Sequence, residues 1–317
     1  MIVLARSPFA AKWTVLPWDG RTPGPWTEAF EGADVVINLA GRSVNCRYTA
    51  KNLRQMMDSR VESTRVIGTA IEHCVKPPRV WLQMSTATIY SHRYDAPNDD
   101  VTGQIGGSET DVPAYWAYSI EIARAWEQAA TDAKTPATRK VMLRSAMVMS
   151  PDRSGIFDVL LTLVRRGLGG TSGDGRQFLS WIHDADFIAA VKWLIDREDL
   201  TGPVNLASPG PLPNADFMRT LRKAWGARIG LPATKWMLAV GAFFMRTDTE
   251  LVLKSRRVIP TRLIQSGFQF KFPTWDTAAR DLCDRRTVRT GVARRDEGHR
   301  ISNFRSPPPG TPGGGLG

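Results

Sequence analysis

Sulfur and imidazole are scarce in this chain. Three cysteines (Cys46, Cys74, Cys283) and four histidines (His73, His92, His183, His299) are scattered without C-x-x-C or H-x-x-x-H spacing. That excludes a disulfide framework and offers no zinc-ligand pattern, so a reducing, cytoplasmic setting and no metal are expected. Long apolar runs are missing as well. The longest, Trp236 to Met245, is about half of the ~20 residues that cross a bilayer and reads as a core helix. No basic-then-apolar leader opens the sequence. Acidic residues are outnumbered, 31 against 42 Lys and Arg, giving a net charge of +11. That excess is concentrated at one end: seven Arg against Asp296 and Glu297 place +5 of it in residues 285–317. This segment closes on Pro-Pro-Pro-Gly-Thr-Pro-Gly-Gly-Gly-Leu-Gly and is too poor in apolar residues to order itself. A solvated basic tail is therefore expected, with neither nucleic acid nor membrane as partner.

What is present points to an α/β protein. With 317 residues and 42% hydrophobic content, the chain can bury one large core or a core plus a smaller lobe. Ala33 to Gly41 reads as a buried parallel strand: Val35, Val36 and Ile37 are consecutive and β-branched. The run ends in Asn38 and small residues that let a flat ligand lie against the backbone. In dinucleotide-binding folds such a strand comes fourth, after a glycine-rich turn that cradles a pyrophosphate. Here 32 residues precede it and hold no G-x-G-x-x-G. One expectation is therefore a chain that starts inside its own fold, the frame upstream of Met1 encoding a strand that ends in that motif.

The remaining pattern alternates. Ile2 to Ala5 is a short strand, and Thr49 can cap a helix whose apolar stripe runs Leu53, Met56, Met57, Val61, Thr64, Ile67 and Ile71. A strand at Val80 to Ser85, a helix at Tyr118 to Thr131 and a strand at Lys140 to Val148 complete a β-α-β-α-β order. The second half offers helices at Ile156 to Arg166, Asp184 to Asp196, Asn214 to Trp225 and Ala233 to Met245, with strands at Val204 to Ala207 and Phe268 to Phe270. Its aromatics, among them Trp225, Trp236, Phe243, Phe244, Phe268, Phe270 and Phe272, suit a core or a packing face. The expected fold is a Rossmann-like doubly wound parallel sheet, first strand absent, with a smaller, mostly helical C-terminal substrate lobe. Residues 1–150 form the nucleotide-binding domain, 151–284 the lobe, some of whose strands complete the sheet, and 285–317 the tail.

Asn38-Leu39-Ala40-Gly41, Ser85-Thr86-Ala87-Thr88-Ile89-Tyr90 and Trp181-Ile182-His183-Asp184-Ala185-Asp186, in this order, resemble the extended short-chain dehydrogenase/reductases. The likeness is to the atypical branch of NAD-dependent epimerase/dehydratase-like, sugar-nucleotide epimerase family proteins. Asp58 to Thr64, the Gly167 to Gly175 loop, and Leu251 to Pro260 followed by Gly267-Phe268-Gln269-Phe270 extend it, the last looking like that branch's C-terminal domain of unknown function.

The resemblance implies NADP(H) as cofactor, with NAD possible. Arg6 and Ser7, after the first strand, suit a 2′-phosphate, where NAD enzymes place Asp or Glu; the alternative is an Arg that merely ends a strand. Asn38, Leu39, Ala40 and Gly41 match the turn beside adenine and ribose, and Arg144 is a further cofactor candidate. Thr86 matches the hydroxyl that bonds the reacting substrate oxygen. Tyr118 is the accompanying catalytic candidate, and Arg47, Tyr90 and Arg176 are substrate candidates for an anionic small molecule. His183 reads as a packed histidine, and the Gly167 to Gly175 loop as a lid. The working dehydrogenases use Y-x-x-x-K; here Tyr115 is followed by Ser119 and Tyr118 by Ile122. Without a lysine, a tyrosine near its ordinary pKa of ~10 is a poor base. Three readings stay open: an NADP(H)-binding oxidoreductase or epimerase, a non-catalytic nucleotide-sensing or interaction protein linked to cell division, and an inactive truncated product.

Overall fold

β4 (Val80–Thr86) is the centre of a computed structural model that describes residues 1–7, 9–110, 112–233 and 253–302. Its side chains alternate between two covered faces, as a strand with helices on both sides requires. Val80 and Leu82 point one way, into a cluster with Val141 and Leu143 of β5 (Arg139–Ser145), Val204 and Leu206 of β9 (Gly202–Leu206), and Ala190 and Leu194 of α4 (Asp184–Asp196). Trp81 points the other way, against Val66, Ile67 and Ile71 of α1 (Ala50–Glu72) and Ala130 of α2 (Ala117–Asp132). β3 (Val35–Asn38) completes a four-stranded parallel sheet in the order β3-β4-β5-β9.

β1 (Ile2–Ala5) and β2 (Thr14–Pro17) form a separate parallel pair. They belong to the same body nonetheless, because Leu4 and Leu16 pack on the cluster that holds Val36 of β3, Trp26, Phe30 and Trp81. Among the described residues no strand joins β1 to β3, and Ile2 and Ile37 are left 48% and 42% exposed.

The lobe contains β6 (Met147–Met149), α3 (Ile156–Arg165), β7 (Phe178–Leu179), β8 (Trp181–His183), β10 (Leu212–Pro213), α5 (Asn214–Trp225), α6 (Thr261–Gln265) and α7 (Trp275–Ser302). β6 pairs parallel with β8, and β7 antiparallel with β10. Phe157, Leu161 and Val164 of α3, Phe217 and Leu221 of α5 and Trp275, Ala278 and Leu282 of α7 form its core. Phe217 and Trp275 stack at 4.0 Å, and the Trp275 indole donates to the Phe217 carbonyl at 3.0 Å. Helix ends follow local chemistry: Thr49 caps α1 by accepting from Asn52 N at 3.2 Å, and α5 stops at Gly226, whose φ of +79° favours glycine.

The structure departs from the sequence reading at several points. The strand expected over 140–148 breaks at Ala146, where the chain changes neighbours: Ala146 N bonds Leu206 O, and Met147 N bonds Ser180 O. Phe268 to Phe270 is not a strand; the alternating rings pack edge-on to each other at 4.8 Å, and Phe268 packs on Trp193 at 6.0 Å. α7 runs on through Ser302, so the first part of the expected disordered tail is helical. Leu231 N and Ala233 N bond Gly167 O and Thr171 O, while Gly170 N and Gly173 N bond back to Leu231 O and Ala233 O, which laces the proposed lid down. The helix expected over Ala233 to Met245, with Trp236, Phe243 and Phe244, lies outside the described residues beyond Ala233. No helix among the described residues is long and apolar enough to cross a membrane.

Candidate functional site

Parallel strands deliver their C-terminal ends to one edge, and the ends of β3 and β4 place the candidate residues there. Asn38 is paired in register with Gln83, so Thr86 lies three residues further along the adjacent strand, about 10 Å on at the usual rise of a strand. They therefore sit at the same, C-terminal edge of the sheet. Asn38 is 2% exposed and spends its side chain on the loop itself: Nδ2 donates to Gln83 Oε1 at 3.0 Å, and Oδ1 accepts from Ala40 N at 3.0 Å. Leu39 and Gly41 are thereby held out to solvent. Arg6 and Ser7, just past the end of β1, are also exposed.

The sequence reading missed Arg60 of α1, which lies directly under this loop: a Cβ on Gly41 would touch its guanidinium carbon at 3.4 Å. Its partners are the Met56 carbonyl, at 3.0 Å, and the face of Trp126, 4.9 Å away. Among the described residues no carboxylate pairs with it, and burial pulls its pKa below the ordinary guanidinium value. It is thus a desolvated cation beside an open loop. Its spacing with Met56 and Thr64, on one stripe of α1, was the available signal.

Thr86 caps the 3-10 turn Ala87–Ile89, its hydroxyl accepting from Thr88 N at 3.2 Å. Tyr118 lies in the first turn of α2, half-buried, and Ile122, where Y-x-x-x-K needs its lysine, is buried in the core. Lys254, also unread as a site residue, comes in from the C-terminal segment instead, 1% exposed, and its Nζ donates to the Thr88 carbonyl at 3.1 Å.

Arg144 and Tyr90 are brought together, but in a closed network. The Arg144 guanidinium grips Glu127 of α2 through Nε and Nη2, at 2.8 and 2.7 Å, and donates to the Tyr90 hydroxyl at 3.0 Å. Ser85 Oγ donates to Glu127 at 2.5 Å, and Tyr90 donates to Asn205 at 2.9 Å. Burial works against the Arg144 charge, but Glu127 outweighs it and holds the pKa above the ordinary value; burial pushes the Tyr90 phenol up. Arg47 is exposed on the loop before α1, and Arg176 lies over the Tyr94 ring at 5.9 Å. His183 is packed as expected: it stacks on Phe272 at 3.8 Å, accepts from Ala185 N and contacts Asp281 at 3.0 Å.

A parallel sheet with helices on both faces, loops gathered at the strand ends and a mostly helical lobe define the Rossmann-like, extended short-chain dehydrogenase/reductase class. The model of the NAD dependent epimerase/dehydratase family matches residues 2–207, and that of a domain of unknown function, DUF1731, matches residues 233–282. The chain belongs to the NAD dependent epimerase/dehydratase family. The epimerase family protein SDR39U1 of Mus musculus is 30% identical over 278 residues, 83% of this chain and 89% of that protein. The epimerase family protein YfhF of Bacillus subtilis is 27% identical over 276 residues, 87% and 86% of the two chains. The crystal structure of human epimerase family protein SDR39U1 (isoform 2) with NADPH superposes with a TM-score of 0.76 at 26% identity, covering 89% of this chain and 90% of that one.

Proposed function

We propose that this chain binds NADP(H) along the crevice at the strand ends and acts on a small molecule as an oxidoreductase- or epimerase-type protein. The observation that carries the reading is the exposed Arg6–Ser7 pair at the end of β1, with Ala5 before it and no carboxylate in the turn. A guanidinium there suits a 2′-phosphate, whereas an NAD-selective site uses an acid to accept from the ribose hydroxyl. The relative solved with NADPH supports the same choice, and NAD is the weaker alternative. The Asn38 loop would hold the ribose side, and Arg60 would meet an acceptor laid over Gly41. No strand among the described residues joins β1 to β3, and no pyrophosphate contact is assigned. The unpaired Cys46, Cys74 and Cys283 favour a reducing, cytoplasmic compartment.

A second reading rests on Ile122. A buried isoleucine in place of the lysine leaves Tyr118 without the cation that makes the phenol a working base, which favours a sensor that binds the dinucleotide without turning it over. Fluorescence titration tests the first part. Arg6→Ala should weaken NADPH by about ten- to a hundredfold and leave NADH unchanged, since one charge-assisted bond is worth about 1.5–3 kcal/mol; equal effects on both would sink the assignment. Oxidation of NADPH with a carbonyl panel then separates enzyme from sensor.

A further inference from the structure

The lobe exposes a mixed apolar and basic face where α3 and α5 end side by side. The loops that follow the two helices are laced together: Leu231 N donates to Gly167 O at 2.8 Å, Gly170 N donates to Leu231 O at 3.2 Å, and the Arg222 guanidinium donates to Gly169 O at 2.6 Å. Within this laced region Leu168, Ile229 and Leu231 are 47%, 66% and 58% exposed, and a Cβ on Gly167 would lie 4.0 Å from the Ile229 side chain. Arg165, Arg166, Lys223 and Arg228 are exposed around them, the Arg165 guanidinium lying over the half-buried Trp225 ring at 5.6 Å. No Asp or Glu occurs between Asp158 and Asp174 or between Asp216 and Asp248. Among the described residues no carboxylate pairs with any of the four cations; Asp158 and Asp216 are taken by Arg286 and Arg219.

Cations in the last turn of a helix complement its dipole, which accounts for Arg165 and Lys223. It does not account for three aliphatic side chains left in water among them, the mark of an interaction surface. The composition decides the kind of partner. A nucleic acid is gripped through cations and hydrogen-bond donors and gains little from Leu and Ile tips. A second copy of this chain would bring the same positive charge against it. An anionic bilayer uses both features: aliphatic tips enter the acyl boundary, arginine and lysine stay level with the lipid phosphates, and a tryptophan such as Trp225 suits the zone between. The chain that leaves this face continues the same chemistry, since Lys235 and Arg246 bracket the apolar run Trp236 to Met245, about half of a span in length. We propose that the α3–α5 end of the lobe docks reversibly on anionic phospholipid, with Leu168, Ile229 and Leu231 inserted and Arg165, Arg166, Lys223 and Arg228 on the phosphates. The sequence reading expected no membrane partner because it located the charge excess in the tail; folding gathers a second basic face from two separate segments.

The test is sedimentation of the full chain with vesicles of phosphatidylcholine alone and of phosphatidylcholine with about one-third phosphatidylglycerol. The anionic vesicles should bind the protein at least about tenfold more tightly than the neutral ones. Raising the salt from about 0.1 to about 1 M, which shortens the screening length from about 10 to about 3 Å, should weaken that binding. Ile229→Ser/Leu231→Ser and Arg166→Glu/Lys223→Glu/Arg228→Glu should each weaken it about tenfold or more, since one cation at the surface is worth about fivefold. Melting temperatures check that the variants fold; if the charge variant does not, the apolar pair and the salt series carry the test. Arg294→Glu/Arg295→Glu, in the basic tail, should stay within about threefold of wild type. No binding to anionic vesicles, equal binding to neutral ones, or unchanged binding in a folded Ile229→Ser/Leu231→Ser protein would overturn the inference. A labelled DNA duplex run alongside would, if it alone bound, reassign the face to nucleic acid and overturn it equally.

Discussion

Removing Glu127 should unfold this protein before it disturbs any ligand. The carboxylate and the Arg144 guanidinium are only 12% and 11% exposed and meet through two bonds of 2.8 and 2.7 Å. Glu127→Ala leaves the guanidinium buried with the Tyr90 hydroxyl as its remaining hydrogen-bond partner, and it also orphans Ser85 Oγ. Breaking one partner of a buried pair costs about 3–5 kcal/mol. At roughly 2 °C per kcal/mol for a chain of this size, the melting temperature should fall by about 6–10 °C. Arg144→Met should do comparable damage, and the double variant Glu127→Ala/Arg144→Met should lose well under the sum of the two single losses, because no charge is then stranded. Urea denaturation of the four proteins gives the coupling energy, expected near 2 kcal/mol or more. NADPH titration of Arg144→Met, expected within threefold of wild type, completes the case. Additive single losses, or an Arg144→Met protein that melts normally but loses NADPH, would refute the view that this arginine is a structural strut.

Three further outcomes follow from burial. His183 is held neutral because burial lowers its pKa despite Asp184 and Asp281 nearby, and Arg285 pairs with both carboxylates. The folded pKa is therefore below the unfolded one, so the stability it confers is full above about pH 6.5 and declines as the pH falls below that value. The decline between pH 6.5 and 5 in urea midpoints should flatten in His183→Gln. Cys283, its thiol pushed up to about 12 by burial, should resist iodoacetamide at pH 8 in the native state and react on unfolding, as peptide mass mapping would show; native labelling would contradict that burial. Asp186 accepts from Lys271 N and Phe272 N at 2.8 and 2.9 Å, so Asp186→Ala should cost about 2–3 kcal/mol by denaturation, and a loss below 1 kcal/mol would show that the clamp is weak.

What the sequence disclosed and what it hid divide along a physical line. Helix limits were legible because they are written locally: the Thr49 cap is read within a single turn. The parallel sheet was legible from β-branched runs spaced by helices. The sites were harder. Arg144 looked like a cofactor ligand because its partner, Glu127, is on another element and spacing gives no hint of the pairing. Arg60 and Lys254 went unread because burial of a cation depends on what folds over it. Phe268 to Phe270 had the alternation of a strand, but rings that find each other and Trp193 need no ladder.

The border between the two matched segments does not fall between two cores. Val258 packs with Tyr90 and Ala123, and Leu263 and Phe268 pack with Val80, Leu82 and Val204, so side chains from 233–282 fill space inside the 2–207 framework. A chimaera that exchanged one segment between relatives would inherit mismatched shapes at every one of these contacts. Heating should accordingly show a single melting event rather than two, the two stretches unfolding as one cooperative body.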